Sequence, residues 1–428
     1  MFNLLRIRRS IFFIIYSFFA LNKIKGKSVA LYWLPPLLAA LALIALGCVN
    51  TTDVWNSLTA DSSINPLKIL VLFFSLTAIS VFLDEAGFFE LLAYSVLIKA
   101  KKSQGYLFTL LFFTVGLLTV FTSNDIVILT FTPFICYFCK NAKINPVPYL
   151  VGEFVAANTF SLLLIIGNPT NIYLATSFGI SFEEYFLKMA LPTLAGGITA
   201  FFVLYLLFSK TLKNPINCDV LPPTKKNRFL IGLGLSVLLC CTTMLTVSGY
   251  LNIEMWQICL CFAFIVFLIA ALYFLATKQR ATVIKSTFKR LPYLLAPFIL
   301  SMFVMVLALE KNGFTEKIAQ FLSMGNKVFS FGAASYLFSN VINNIPMSVL
   351  FSSVCSKLSH PLPAVFASIA GSNYGALLTP VGALAGIMWT DLLKTQGINF
   401  RLPKFVLYCG VCSLVSFFVT LLVLNFLF

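Results

Sequence analysis

The sequence has little charge for its length. Only 10% of its 428 residues are Asp, Glu, Lys or Arg, whereas a soluble domain carries about a quarter. Hydrophobic residues make up 60% of the chain, and the mean hydropathy is +0.96. Apolar runs recur along the whole chain, and several are long enough to cross a bilayer. This composition excludes an ordinary soluble enzyme and predicts an all-α polytopic membrane protein.

Residues and motifs typical of catalytic and metal sites are also scarce. His360 is the only histidine, and neither His-Glu-x-x-His nor Gly-x-x-x-x-Gly-Lys-Ser/Thr occurs. We therefore expect no enzyme activity, no metal site and no bound cofactor, and any use of ATP would require a separate ATPase subunit. The pair Cys136-x-x-Cys139 lacks further ligands nearby, although capture of a metalloid by these thiols stays open.

The net charge of +16 indicates an orientation in the bilayer, and we expect no nucleic-acid partner. Lys and Arg concentrate in the cytoplasmic loops of membrane proteins, and here they cluster in short segments between apolar runs. These segments are residues 1–27, 99–105, 140–143, 210–228, 278–290 and 394–404. The sequence therefore predicts a multi-pass protein of the plasma membrane with its basic loops in the cytoplasm.

Under this orientation, two apolar segments begin and end on the same side of the membrane. Residues 106–139 leave the cytoplasmic side and return to it, with a polar turn at Ser123-Asn124-Asp125. Residues 328–356 do the same from the outside, with a turn at Ser339-Asn340. The sequence therefore predicts two re-entrant helical hairpins of opposite orientation.

Each predicted hairpin is followed by an apolar span that polar residues interrupt. The first span, 146–178, is broken at Gly167-Asn168-Pro169-Thr170-Asn171. The second, 363–393, is broken between Gly371-Ser372-Asn373 and Thr379-Pro380. Discontinuous transmembrane helices in inverted repeats are typical of secondary transporters.

This pattern divides the chain into four parts. A basic N-terminal segment with a short hydrophobic helix (1–28) precedes the first inverted-topology repeat (29–209), and a basic cytoplasmic linker (210–228) precedes the second (229–428). Whether residues 10–21 cross the membrane or lie in its interface stays open.

The two hairpin tips and the two breaks predict one shared site. Non-helical backbone at membrane depth is tolerated only where it is buried in protein or lines a wet cavity. A single polar residue in a span usually joins helices, but four polar breaks in symmetric positions indicate binding of a solute. A channel would more often repeat around an oligomeric axis, so transport is the favoured function.

The tip Ser123-Asn124-Asp125, the 167–171 break and Asn343-Asn344-Ile345-Pro346 resemble the ion transporter superfamily. This group includes arsenical pump membrane proteins, sodium-coupled dicarboxylate, citrate and sulfate carriers, and some sodium/proton antiporters. Residues 82–89 and Gly371-Ser372-Asn373 resemble the arsenical pump proteins most. The resemblance implies a small-molecule or ion substrate, a lipid bilayer environment, alternating access and, in many members, a homodimer.

The resemblance also implies which residues form the site. Substrate binding is assigned to polar residues of the tips and breaks, namely Ser123, Asn124, Asn168, Thr170, Ser339, Asn340, Asn343, Ser372 and Asn373. Coupling to a proton or a sodium ion is assigned to Asp125, Gly167, Asn171, Gly371 and Thr379.

The tips also bear on the substrate. The carboxylate carriers of the superfamily have Thr after Ser-Asn, whereas this chain has Asp125 in one tip and Val341 in the other. An added carboxylate repels a dianion, whereas arsenite and antimonite are mostly uncharged near neutral pH. We therefore expect arsenite or antimonite efflux coupled to proton exchange, with Asp125 carrying the proton. A sodium- or proton-coupled citrate, dicarboxylate or sulfate symporter and a sodium/proton antiporter are the alternatives. Glu153 could relay protons or face water.

Overall fold

The computed structural model describes residues 33–59, 65–100, 103–216 and 227–428. These residues are almost entirely helical, and the β-contact among them is an isolated bridge between Ser103 and Pro215. The predicted all-α fold is thereby confirmed. The predicted helix within residues 1–28 and the question of whether residues 10–21 cross lie outside the described residues, as does the central part of the 210–228 linker.

The helices of the first half of the chain precede the linker. They are α1 (Leu34–Ala45), α2 (Thr51–Thr59), α3 (Pro66–Glu85), α4 (Phe88–Lys99), α5 (Gln104–Phe121), α6 (Asn124–Asn141), α7 (Val147–Phe160), α8 (Pro169–Ser177), α9 (Phe182–Leu207) and the single turn α10 (Ser209–Leu212).

The helices of the second half follow the linker. They are α11 (Arg228–Leu251), α12 (Met255–Thr277), α13 (Thr282–Arg290), α14 (Leu295–Lys311), α15 (Phe314–Leu322), α16 (Lys327–Ile342), α17 (Asn344–Cys355), α18 (Leu362–Gly375), α19 (Leu384–Thr395), the single turn α20 (Leu402–Phe405) and α21 (Val411–Leu427).

Seven stretches of the described residues are helical, long and apolar enough to cross a membrane. The long helices α9, α11, α12 and α21 carry exposed large side chains, among them Leu206, Leu239 and Phe264. Rows of exposed apolar side chains on spanning helices are suited to lipid tails. The chain is therefore an integral membrane protein.

The apolar residues 67–97 form two helices rather than one continuous span. The first, α3, begins with Pro66 after Asn65, whose side-chain oxygen accepts the Leu67 amide proton at 2.8 Å. It ends where Gly87 adopts a φ of +94°, a conformation that glycine reaches without a steric cost. Gly313 (φ +68°) separates α14 from α15 in the same way.

Two helix pairs form where the sequence predicts hairpins. α5 and α6 are separated by Thr122 and Ser123, which are both extended. α16 and α17 are separated by Asn343, which has a φ of +72°. The turn predicted at Ser339-Asn340 is therefore wrong, because α16 continues through both residues to Ile342. The opposite orientation of the two halves and the bounds of the repeats stay predictions.

The two interrupted spans share one plan. In the first, the 3₁₀ turn Ile165–Gly167 separates α7 from α8, and in the second, Pro380–Gly382 separates α18 from α19. Both α7 and α18 are 14 residues long and carry proline near their first turn. Almost every residue of these two helices is buried. The interrupted spans therefore lie at the centre of the molecule.

The hairpins connect the two halves of the chain. The second arm of the first hairpin, α6, packs against α19, and the second arm of the other hairpin, α17, packs against α8. Each hairpin thus contacts the second half of the other repeat's interrupted span. This exchange brings the tips and the breaks into one central region.

Candidate functional site

The first hairpin tip is anchored to the interrupted span that follows it. Asn124 donates a hydrogen bond from Nδ2 to Oδ1 of Asn158 at 3.0 Å, and its own Oδ1 accepts the Asp125 amide proton at 3.0 Å. Asn158 in turn donates to the Phe154 carbonyl oxygen at 2.8 Å. Both Asn side chains are buried. The start of α6 is therefore held at a fixed place beside α7.

A cavity of about 150 Å³ lies directly at this tip. Its walls come from α3, the start of α6, the α13–α14 connection and α19. The lining residues are Phe73, Thr77, Val81, Ser123, Asp125, Ile126, Leu129, Arg290, Pro292, Leu295, Leu384 and Met388. We call this space the Asp125 cavity.

Asp125 is the only acidic residue among those that line this cavity. Among the residues that the structure describes, its carboxylate has no ion-pair or hydrogen-bond partner. The helices α6 and α19 both begin at the cavity, and neither has a side-chain N-cap. The first amide groups of these helices, apart from that of Asp125, therefore supply donors and a partial positive charge beside this carboxylate.

A charged cluster borders the Asp125 cavity on the side of α13. Arg290 forms ion pairs with Asp84 at 2.7 Å and with Glu85 at 2.6 Å. The two carboxylates more than compensate the charge of Arg290, which lines the cavity with Asp125. Such an excess of negative charge disfavours anionic solutes.

A cluster of amide side chains joins the first break to α18, and we call it the break cluster. Asn373 Oδ1 accepts hydrogen bonds from Asn168 Nδ2 at 2.8 Å and from Ser161 Oγ at 3.0 Å. Asn373 Nδ2 donates to Asn171 Oδ1 at 2.7 Å. Asn171 Nδ2 donates to the Ser161 carbonyl oxygen at 2.8 Å. All four residues are buried, so the cluster satisfies its own polar groups.

The second tip is bonded to the second break. Asn340 Nδ2 donates to the Gly375 carbonyl oxygen at 2.9 Å, and its Oδ1 accepts the Thr379 hydroxyl proton at 2.7 Å. Asn343 Nδ2 donates to the Val381 carbonyl oxygen at 3.1 Å. These three bonds fix the extended backbone between α18 and α19.

The structure gives the predicted site residues different surroundings. Ser123 and Asp125 line the Asp125 cavity. Thr170 bonds to Oδ1 of Asn168 through both its amide and its hydroxyl, at 3.1 Å each. The Ser339 hydroxyl donates to the Ser335 carbonyl oxygen at 2.8 Å. The Ser372 hydroxyl is buried and has no hydrogen-bond partner among the described residues.

The two glycines assigned to ion coupling lie at close backbone contacts. A Cβ on Gly371 would lie 2.5 Å from the Gly332 carbonyl oxygen of α16, and a Cβ on Gly167 would contact the Ser161 carbonyl oxygen. No real Cβ atom tolerates such a contact, so both positions require glycine for packing. Ion coupling by these residues stays a prediction.

Sequence reasoning missed Asn158, although a signal for it exists. Asn158 and Asn373 are each the twelfth residue of a 14-residue helix that begins beside proline. Aligning α7 with α18 would therefore have found it. Arg290 was also missed, because its carboxylate partners are about 200 residues away in the sequence.

Glu153 lies in the interior and does not face water. The side chain of Glu153 is fully buried, and both of its carboxylate oxygens lie 3.0 Å from the Thr132 hydroxyl oxygen. The expectation of a water-facing Glu153 is therefore wrong, because α6 covers this face of α7. Its alternative role as a proton relay stays a prediction.

The chain is similar to known membrane transporters over most of its length. A family model described as "Citrate transporter" matches residues 16–371. An arsenical pump membrane protein of Escherichia coli is 26% identical, with 92% of this chain and 93% of that protein covered. A putative arsenical pump membrane protein of Bacillus subtilis is 24% identical, covering 89% and 90%. The expected resemblance is thereby confirmed.

A solved structure shares the fold. The YdaH transporter of Alcanivorax borkumensis, described as having an unusual topology, superimposes with a TM-score of 0.61 at 14% sequence identity. The match covers 93% of this chain and 97% of that one.

Proposed function

Because this chain belongs to the citrate transporter family, we propose that it is a secondary active transporter that exchanges arsenite or antimonite for protons by alternating access. Membership of a family of transporters supports movement of a small solute or ion across the plasma membrane. The choice of substrate and of coupling ion rests on the Asp125 cavity. Efflux is the direction that we propose.

The observation that carries the proposal is the free carboxylate of Asp125 in this cavity. An uncharged trihydroxy acid has hydroxyl protons to donate to Asp125 and oxygen atoms to accept protons from Ser123 and from the first amides of α6 and α19. A proton on Asp125 would compete with the solute for the same oxygen atoms. Competition of this kind at one site couples proton movement to solute movement in opposite directions.

The charge around the cavity argues against the first alternative. Citrate, a dicarboxylate or sulfate would bring two or more negative charges to a place where Asp84, Glu85 and Asp125 outnumber Arg290. Like charges disfavour one another by about 4 kcal/mol at 4 Å in a partly screened site. The description of the matched family still makes a sodium- or proton-coupled citrate carrier the second candidate.

We assign the other predicted residues to positioning. The break cluster and the bonds of Asn340 hold the two interrupted spans in register, so the helix ends at the cavity keep their direction. Dimerisation and a separate ATPase subunit stay predictions.

Arsenite flux into liposomes under an imposed pH gradient tests the proposal. We expect flux from the purified chain that follows the gradient and is lost in Asp125→Asn. The matched control is Asp391→Asn on α19, since Asp391 pairs with Lys394 at 2.8 Å on the exposed side of that helix. Sodium-driven citrate flux without arsenite flux would overturn the proposal in favour of the second candidate.

A further inference from the structure

A second cavity, of about 230 Å³, lies between α14, α17 and α8. The apolar wall of this cavity is formed by Phe303, Val306 and Leu307 of α14. Glu310 also lines the cavity, at the last turn of the same helix. Ser352 and Ser353 on α17 and Tyr173 on α8 supply polar groups. We call this space the serine cavity.

The serine cavity has the same relation to the second half of the chain as the Asp125 cavity has to the first. The helix before a hairpin, α3 or α14, forms one wall. The second arm of that hairpin, α6 or α17, forms the next, and the second half of the other interrupted span, α19 or α8, forms the third. The two cavities therefore lie between equivalent helices, the Asp125 cavity at the first turns of α6 and the serine cavity at the later turns of α17.

Hydroxyl groups that lack partners line the serine cavity. The Ser353 hydroxyl is buried and has no hydrogen-bond partner among the described residues, and the buried Tyr173 hydroxyl has only the Ser352 hydroxyl beside it. By contrast, the Ser352 hydroxyl donates to the Val349 carbonyl oxygen at 2.8 Å. Buried hydroxyls without partners are rare because their lost hydration is not replaced. Because Ser353 and Tyr173 line a cavity, a polar solute there can supply the hydrogen bonds that the protein does not.

The charges beside the serine cavity select against anions. Lys357 pairs with Glu310 at 2.5 Å and with Glu316 at 3.3 Å. The hydrogen bond with Glu310 raises the pKa of Lys357, so this lysine keeps its charge at neutral pH. Its charge is fully compensated by the two carboxylates, and one negative charge remains.

We propose that the serine cavity is a second binding site for a small neutral trihydroxy acid, on the opposite face from the Asp125 cavity. The identity of the solute rests on the proposed function. The volume of the serine cavity is several times that of one water molecule, about 30 Å³. The cavity can therefore hold a solute of four heavy atoms together with some of its water of hydration. Tyr173 and Ser353 donate to its oxygen atoms or accept from its hydroxyl groups.

The double variant Tyr173→Phe with Ser353→Ala tests the site, because it removes both hydroxyls that face the cavity and nearly conserves shape. The control is Tyr185→Phe, since the Tyr185 hydroxyl is also buried without a partner but does not line this cavity. Arsenite flux is measured in liposomes of known orientation, with entry from each face in turn. Arsenite binding is measured separately, by equilibrium dialysis of each purified protein.

We call the membrane face nearer Glu310 and the serine cavity the Glu310 face, and the face nearer Arg290 and the Asp125 cavity the Arg290 face. For the double variant, we expect the KM for arsenite entering from the Glu310 face to rise by about fivefold or more. The KM for arsenite entering from the Arg290 face should stay unchanged. Binding should weaken in the double variant and not in the control. If the double variant binds arsenite as the unaltered chain does and has the same KM from each face, the site is overturned, while arsenite transport is not. Absence of arsenite flux with binding that still depends on these hydroxyls would overturn the proposed function and retain the site. Absence of arsenite binding to the unaltered chain overturns the site.

Discussion

Asn168 donates a hydrogen bond to Asn373 at 2.8 Å, across 205 residues of sequence. The bond joins the first break to the helix before the second break, so the two halves share one buried set of polar groups. Asn373 holds Ser161, Asn168 and Asn171 together at the same time. Each half of the chain therefore depends on the other for the shape of its interrupted span.

Replacement of Asn373 by Ala tests this dependence. It leaves Asn168 Nδ2 and Asn171 Oδ1 buried without their partner, whereas Ser161 Oγ still donates to the Asn158 carbonyl oxygen. We expect a loss of about 2–3 kcal/mol in the free energy of unfolding. Thermal unfolding of the purified protein measures the loss as a lower Tm. Asn425→Ala is the control, because Asn425 accepts one exposed hydrogen bond from Asn326. An equal Tm for both variants would show that the break cluster contributes nothing beyond a surface bond.

Replacement of Arg290 by Gln should slow arsenite flux. It removes the one positive charge among the residues that line the cavity and leaves the carboxylates of Asp84 and Glu85 without this cation. We expect a rate about tenfold lower, with partial recovery in Arg290→Lys, because lysine restores the charge without the two-pronged contact. Lys394→Gln, which breaks an exposed pair with Asp391, should leave the rate unchanged.

The first tip and the approximate positions of the breaks could be predicted from the sequence because proline, glycine and polar residues interrupt apolar runs. The second tip lies at Asn343, three residues after the predicted turn at Ser339-Asn340, because nothing in the sequence ends α16 earlier. A turn was predicted at Ser123-Asn124-Asp125, and in the structure α5 ends at Phe121 and α6 begins at Asn124. The helical membrane fold was likewise predicted and is confirmed.

The partners of the polar side chains could not be predicted in the same way. Asn168 and Asn373 were both predicted to bind solute, and the structure shows that they also bond to each other, which the sequence did not predict. Solute binding by either residue stays a prediction. A hydrogen bond between residues so distant in sequence depends on how whole helices pack against one another. The pattern of apolar and polar residues within one span does not predict that packing. Asp125 differs, since a carboxylate with no partner among the described residues is available to a ligand or a proton.

Replacement of Gly382 by Ala should destabilise the second break. A Cβ there would lie 2.6 Å from the Gly375 carbonyl oxygen and 2.9 Å from Oδ1 of Asn340. The bond between Asn340 and Thr379 would have to move, at a cost of about 1–3 kcal/mol. Gly232→Ala on α11 is the matched control, because nothing lies within 4 Å of its Cβ. Since alanine favours helix over glycine, we expect a lower Tm for the first variant and an equal or higher Tm for the second.

Replacement of Glu153 by Gln separates the two acids that could carry the coupling proton. Glu153 is fully buried and bonded to Thr132, and glutamine keeps an oxygen that accepts this hydroxyl proton. Asp125, by contrast, lines a cavity and has no partner among the described residues. We therefore expect Glu153→Gln to retain arsenite flux within about twofold and to keep its dependence on the pH gradient, whereas Asp125→Asn loses both. Flux that no longer follows the gradient in Glu153→Gln would place the proton path through α7 and overturn the assignment of coupling to Asp125 alone.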